Sequence, residues 1–137
     1  MALRNLEGIA PLLQVHDMRA AVEFYRNVLG FELVQQSQPG HTFHWCMLKL
    51  GHAVLMLNTK YEVQPPVRES APDHSDLCLY FGCEDADQAY AELRTKWHDI
   101  RPPKTASYGM RQLYMRDPDG FGVCLQHPTR KSTQPTQ

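Results

Sequence analysis

One pattern constrains this chain more than any other: the order strand, helix, three strands occurs twice. In the first pass "IAPLLQV" runs short and apolar from Ile9, and Asp17 supplies a helix cap. The helix "MRAAVEFYRNVLG" follows, with Met18, Ala21, Val22, Tyr25, Val28 and Leu29 recurring at three and four and Gly30 as its stop. "FELVQQ", "TFHWCMLKL" and "HAVLMLN" then read as three strands, broken at Pro39-Gly40 and at Gly51. In the second pass "SDLCLYFGC" is a strand. "EDADQAYAELRTKW" is a helix with Ala86, Ala89, Tyr90, Leu93 and Trp97 on one side. "DIRPPKT" suits an edge strand because of its prolines, and "MRQLYMR" and "FGVCLQH" flank a tight Asp117-Pro118-Asp119-Gly120 turn.

A duplication of this kind predicts an α+β fold of two βαβββ modules in a mixed sheet. Each half is below the size that supports its own core, so the modules are expected to share one sheet curved around a concavity. The expected organisation is a single domain over residues 1–128, with modules at about 8–60 and 74–127 and a proline-bearing linker at 61–73. The polar segment 129–137 has nothing to bury and is expected to be a disordered tail.

Composition narrows the partners. A formal net charge of −1 gives no general attraction for nucleic acid or an anionic membrane. Arg111, Arg116, Arg130 and Lys131 are too few, and too well balanced by acids, to form a nucleic-acid patch. No apolar run is long enough to span a bilayer. The four cysteines, at 46, 78, 83 and 124, form no CxxC pair, and "MALRNLEGIAPLL" lacks the features of a secretion signal, so a cytoplasmic protein with reduced thiols is expected.

"PLLQVHDMRAAVEFYRNVLGFELV" resembles the opening of the glyoxalase, bleomycin-resistance and extradiol-dioxygenase superfamily, the vicinal oxygen chelate fold, and "LYMRDPDGFGVCLQ" resembles its closing motif. With "HAVLMLN" and "SDLCLYFGCEDADQAYAEL" in order between them, the resemblance covers roughly residues 8 to 127. It implies a cup-shaped sheet of two βαβββ modules, completed in a homodimer. In metal-using members one ligand comes from each of four strands. Carried over motif by motif, those positions fall on Ala10, Met56, Asp76 and Cys124. Alanine offers no donor and a thioether is a soft, weak one, so no catalytic metal and no other cofactor is expected. The family chemistries that polarise a carbonyl or activate oxygen at that metal are in doubt for the same reason.

Strand alternation names the residues expected to face the cup. Those taken as ligand-binding are Leu12, Gln14, Phe43, Trp45, Met47, Met56, Asn58, Asp76, Cys78, Tyr80, Cys124 and Gln126. The set is apolar, sulfur-bearing and neutral polar, which favours binding over bond-making. Trp45 is expected to stack on a planar ligand, while Trp97 is expected to pack the second helix on its sheet. Cys124 lacks a neighbouring base, and His127, three residues on, falls on the other strand face. The nearest metal-free relatives by these features are the bleomycin-resistance-like antibiotic-binding proteins. The resemblance therefore implies a homodimer that sequesters a bulky, planar aromatic drug or natural product, giving resistance or self-resistance. The alternative is an enzyme of the same fold, of lyase, isomerase or dioxygenase type, working through a displaced metal site or through Asp76, Tyr80 and Cys124 as acid and base groups.

Overall fold

The computed structural model describes residues 3–59 and 77–129. The expected linker 61–73, Asp76, and residues 130–137 of the expected tail lie outside the described residues. The chain divides into two compact units, Met1–Pro66 and Val67–Gln137. The first contains β1 (Leu12–Gln14), α1 (Met18–Glu23), β2 (Glu32–Gln36), β3 (Trp45–Leu50) and β4 (Ala53–Asn58). Its sheet runs β1-β4-β3-β2, with β1 parallel to β4 and the other pairs antiparallel. The second contains β5 (Cys78–Gly82), α2 (Ala86–Leu93), β6 (Lys104–Thr105), β7 (Met110–Arg116) and β8 (Gly122–Pro128). Its order, β5-β8-β7-β6 with β5 parallel to β8, repeats the first, so the duplication read from the sequence is a duplication of topology.

Helix α1 starts where Asp17 accepts a hydrogen bond from the Ala20 amide at 3.2 Å. It then widens into a π-helical turn over Phe24–Val28, in which the Leu29 N–H donates to the Phe24 carbonyl at 3.1 Å. The wider turn turns two consecutive aromatics inward, and Phe24 and Tyr25 are 1% and 0% exposed. Tyr25 meets Phe24 and Phe31 edge to face, with centroids 4.9 and 5.9 Å apart. Gly30, at φ 94°, closes the helix: its N–H donates to Arg26 O at 3.1 Å and that of Phe31 to Tyr25 O at 2.8 Å. That pair of bonds is one residue wider than a Schellman stop, matching the π-helical turn it closes, and a side chain at residue 30 would strain it.

One face of the first sheet carries α1. Leu13, Val15, Cys46, Leu48, Leu55 and Leu57 on that face are at most 1% exposed. The Cys46 sulfur lies 3.8 Å from that of Met18 on α1. In β2 one extra residue, Val34, interrupts the register between Leu33 and Gln35. The bulge keeps Leu33 paired with Leu48 on the covered face while Gln35 pairs with Met47 on the other.

The second unit uses the same devices. Asp85 caps α2 by accepting from the Gln88 amide at 3.1 Å. Leu79, Leu113, Met115 and Val123 form its buried face. Arg111, on that face of β7, holds Asp87 of α2 with two bonds of 3.0 and 2.7 Å. The helix ends at Leu93 rather than continuing to Trp97 as the apolar spacing suggests. There the Thr95 hydroxyl donates to Glu92 O at 3.1 Å, and the chain turns. Trp97 still fastens this end of the helix to the sheet, because its indole N–H donates to the Arg116 carbonyl at 2.7 Å. The two prolines precede β6, which is an edge strand. Between β7 and β8 the Asp117 carboxylate, 3% exposed, accepts from the amides of Asp119 and Phe121 at 2.9 Å each. Gly120 completes that turn at φ 85°.

Candidate functional site

Each sheet has a second face that no described helix of its own unit covers, and register decides which residues share it. In the first unit Leu12 pairs with Met56 and Gln14 with Asn58. Trp45 pairs with Asn58 and Met47 with Met56. These six residues form one continuous patch across β1, β4 and β3. The Asn58 amide donates to Gln14 Oε1 at 3.2 Å. Leu12 is 51% exposed, whereas Asn58 is buried and Gln14, Trp45, Met47 and Met56 are half-buried. Phe43, also expected here, is half-buried but lies two residues before β3 begins, so no strand register fixes its direction. The charges on this face, Glu32 and Lys49, sit opposite one another between β2 and β3.

In the second unit Cys78, Tyr80 and Gly82 pair with Gly122, Cys124 and Gln126. Gln112 and Tyr114 pair with Gln126 and Cys124. Cys78, Tyr80, Cys124 and Gln126 therefore share a face as expected from alternation. The same face brings in Gln112 and Tyr114, together with Tyr108 from the loop before β7, which the sequence reading did not single out. The Gln112 amide donates to Gln126 Oε1 and to the Tyr108 hydroxyl, both at 2.9 Å. The hydroxyls of Tyr80 and Tyr114 are 2.8 Å apart, with their rings edge to face. The signal for Gln112 and Tyr114 was present: a tight turn over Asp117 to Gly120 fixes the β7–β8 register, which puts them opposite Gln126 and Cys124.

The two units correspond position by position. Met56 in β4 matches Cys124 in β8, Leu12 matches Tyr80, and Asn58 matches Gln126. Two residues before Leu12 and Tyr80 stand Ala10 and Cys78, so by register Cys78 is the counterpart of Ala10. This donor set does not fit a hard divalent metal. Alanine has no lone pair to give and the Met56 thioether is weak. Cys124 is 0% exposed and burial, with Cys78 beside it, pushes its thiol up to about 12, so it stays protonated at neutral pH. Among the described residues no three His, Cys, Asp or Glu side chains cluster in a way that would hold a metal ion.

Nor do the described residues of this face supply an ionised nucleophile or base. The hydrogen bond from Tyr114 favours the Tyr80 phenolate, but burial and the nearby thiols of Cys78 and Cys124 outweigh it, and Tyr80 is raised above the ordinary tyrosine range. Burial, reinforced by the hydrogen bond to Tyr80, raises Tyr114 further. At neutral pH Tyr80, Tyr114 and Cys124 are all uncharged, which suits them to donate and accept hydrogen bonds and to pack.

Known proteins repeat this architecture. A family model described as "Glyoxalase/Bleomycin resistance protein/Dioxygenase superfamily" matches residues 8–125. Among solved structures, TnmS3, an antibiotic binding protein from Streptomyces sp. CB03234, is 28% identical, with 93% of this chain and 98% of that one covered at a TM-score of 0.69. A glyoxalase/bleomycin resistance protein from Streptomyces sp. CB03234 is also 28% identical, with 86% and 97% covered at a TM-score of 0.64. A lactoylglutathione lyase from Agrobacterium tumefaciens is 22% identical, with 90% and 95% covered at a TM-score of 0.67, a likeness of fold alone. No curated protein matches the chain.

Proposed function

The chain belongs to the Glyoxalase/Bleomycin resistance protein/Dioxygenase superfamily, and from that premise we propose that it is a metal-free binding protein which sequesters a bulky, planar aromatic natural product or drug. The observation that carries the reading is the makeup of the two open sheet faces. The first offers Leu12, Trp45, Met47 and Met56 around the Gln14–Asn58 amide pair. The second offers neutral hydroxyls and amides from Tyr80, Tyr114, Gln112 and Gln126. Such surfaces take an apolar ligand out of water and orient it, with adaptable thioethers and an indole for flat rings. A net charge of −1 agrees with a ligand that is largely neutral. The likeness to TnmS3, described as an antibiotic binding protein, supports the same class of ligand. The protein works as a homodimer in the cytoplasm under this reading, without nucleic acid or membrane as a partner.

The test is a titration of chelator-treated protein with planar aromatic antibiotics, followed by tryptophan fluorescence, with the compound recovered afterwards and weighed against its starting amount. Saturable quenching in the micromolar range with the compound unchanged is the expected result. Turnover of the compound, or binding only after a divalent metal is restored, overturns the reading in favour of an enzyme of the same fold.

A further inference from the structure

On the open face of the second unit one row runs Gly82, Gln126, Gln112 and Lys104 across β5, β8, β7 and β6. The matching row of the first unit is Gln14, Asn58 and Trp45. There the Asn58 and Gln14 amides bond to each other at 3.2 Å, so a side chain covers the backbone of the outermost strand. In the second unit the Gln126 amide bonds instead to that of Gln112 at 2.9 Å, on the side away from β5, and the outermost position holds a glycine. The sheet is thus bare to its main chain at Gly82, which is exposed.

Nothing in the described structure calls for that glycine. Gly30 and Gly120 adopt a positive φ that their turns require, whereas Gly82 does not, and it pairs in register as any strand residue would. A Cβ at residue 82 would meet no described atom within 4 Å. Glycine also weakens a strand, because it loses more backbone freedom on folding than other residues and brings no side chain to pack. A strand glycine with no turn to make and no neighbour to admit suits a place where a ligand comes up against the main chain. Aromatic side chains stand at two sides of this place. Tyr80 lies two residues earlier on the same face of β5, and Tyr108, 69% exposed, is anchored 2.9 Å from the Gln112 amide further along the row.

We propose that Gly82 is a specificity-determining residue: its bare backbone seats one edge of the flat ring system, and the space above it, which Gln14 fills in the first unit, sets how far the ligand reaches along the row. This rests on the sequestration reading above and adds to it a fixed place for one end of the ligand. A side chain at residue 82 would fill the seat without disturbing the fold, so binding and stability move in opposite directions.

Three planar tricyclic probes test this with the full chain: acridone, phenazine and anthraquinone. Each is titrated by calorimetry into the native protein, Gly82→Ala and Gly82→Val, and each protein is unfolded in urea and sized by gel filtration. Both variants are expected to keep the native size and a urea midpoint equal to or above that of the native protein. Affinity is expected to fall roughly tenfold in Gly82→Ala and further in Gly82→Val, as the added carbons hold the ring off the main chain. A lowered midpoint or an altered size assigns the glycine to packing, within the chain or against a second copy, and overturns the proposal. Affinity within about twofold of native in both variants, or higher, also overturns it and leaves the sequestration reading standing. Failure of all three probes to bind the native protein up to their solubility overturns both.

Discussion

Alkylation of the four cysteines separates a pocket lining from a hidden nucleophile. Cys46 and Cys124 are buried, and Cys78 and Cys83 are half-buried. Burial raises the Cys124 thiol from an ordinary 9.0 to about 12 and the Cys46 thiol to about 11. At pH 8 a thiol of 9.0 is about one-tenth ionised, whereas one of about 12 is ionised to about one part in ten thousand, a deficit of about a thousandfold for Cys124. Restricted access in the folded chain lowers the rate further. The assay is iodoacetamide labelling followed by peptide mass spectrometry, with the chain unfolded in guanidinium as reference. In the folded protein Cys78 and Cys83 are expected to label first, with Cys124 slower than in the reference by about a thousandfold or more. Its rate is expected to climb about tenfold per pH unit toward pH 12. Labelling of folded Cys124 at pH 8 within tenfold of the unfolded chain refutes the account, because it demands a thiolate that these surroundings do not stabilise.

Further outcomes follow from the same geometry. Trp45→Ala is expected to weaken binding of a planar aromatic by about tenfold or more in a fluorescence-independent assay such as calorimetry, while Cys124→Ala, whose side chain has no exposed surface, costs less than about threefold; equal losses contradict the ranking. Asp117→Ala strands two buried amides and is expected to lower the unfolding free energy by about 2 to 4 kcal/mol in urea. The raised thiols also set an alkaline limit. A group whose folded pKa lies above its unfolded value contributes its stability in full below pH 9 and loses it as the pH rises through the folded pKa. Between pH 9 and 11 the native chain is therefore expected to lose about 1 kcal/mol per pH unit for each of Cys46 and Cys124 beyond the loss in a Cys46→Ala, Cys124→Ala variant.

Much of this molecule is legible in its sequence because its signals are local. Asp17 caps the helix it precedes, Gly30 and Gly120 take the positive φ that their turns require, and period-two alternation separates Leu13 and Leu57 from Leu12 and Met56. The features that were not legible depend on partners distant in the chain. The π-helical turn at Phe24–Val28 keeps the same apolar residues as an α-helix, so spacing alone does not reveal it. Trp97 continues the apolar pattern of α2 and yet lies beyond its end, where its amide still donates to the Leu93 carbonyl at 3.0 Å and its indole to that of Arg116 at 2.7 Å. On the open face, alternation along β5 and β8 places Tyr80 and Gln126 correctly. Gln112, Tyr114 and Tyr108 come into view only when β7 is registered against β8. The charge of Arg111 in that strand serves an ion pair with Asp87 of α2.

The central claim is that ligand sits on the open sheet faces, and methionine methyl NMR tests it most directly. Met47 and Met56 lie on the open face of the first unit, while Met18 touches Cys46 on the covered side and Met115 is fully buried. Titrating protein carrying 13C-methyl methionine with the tightest planar aromatic binder is predicted to move the Met47 and Met56 resonances through the ligand's ring current, leaving Met18 and Met115 in place. Shifts at Met18 and Met115 with none at Met47 and Met56 contradict it.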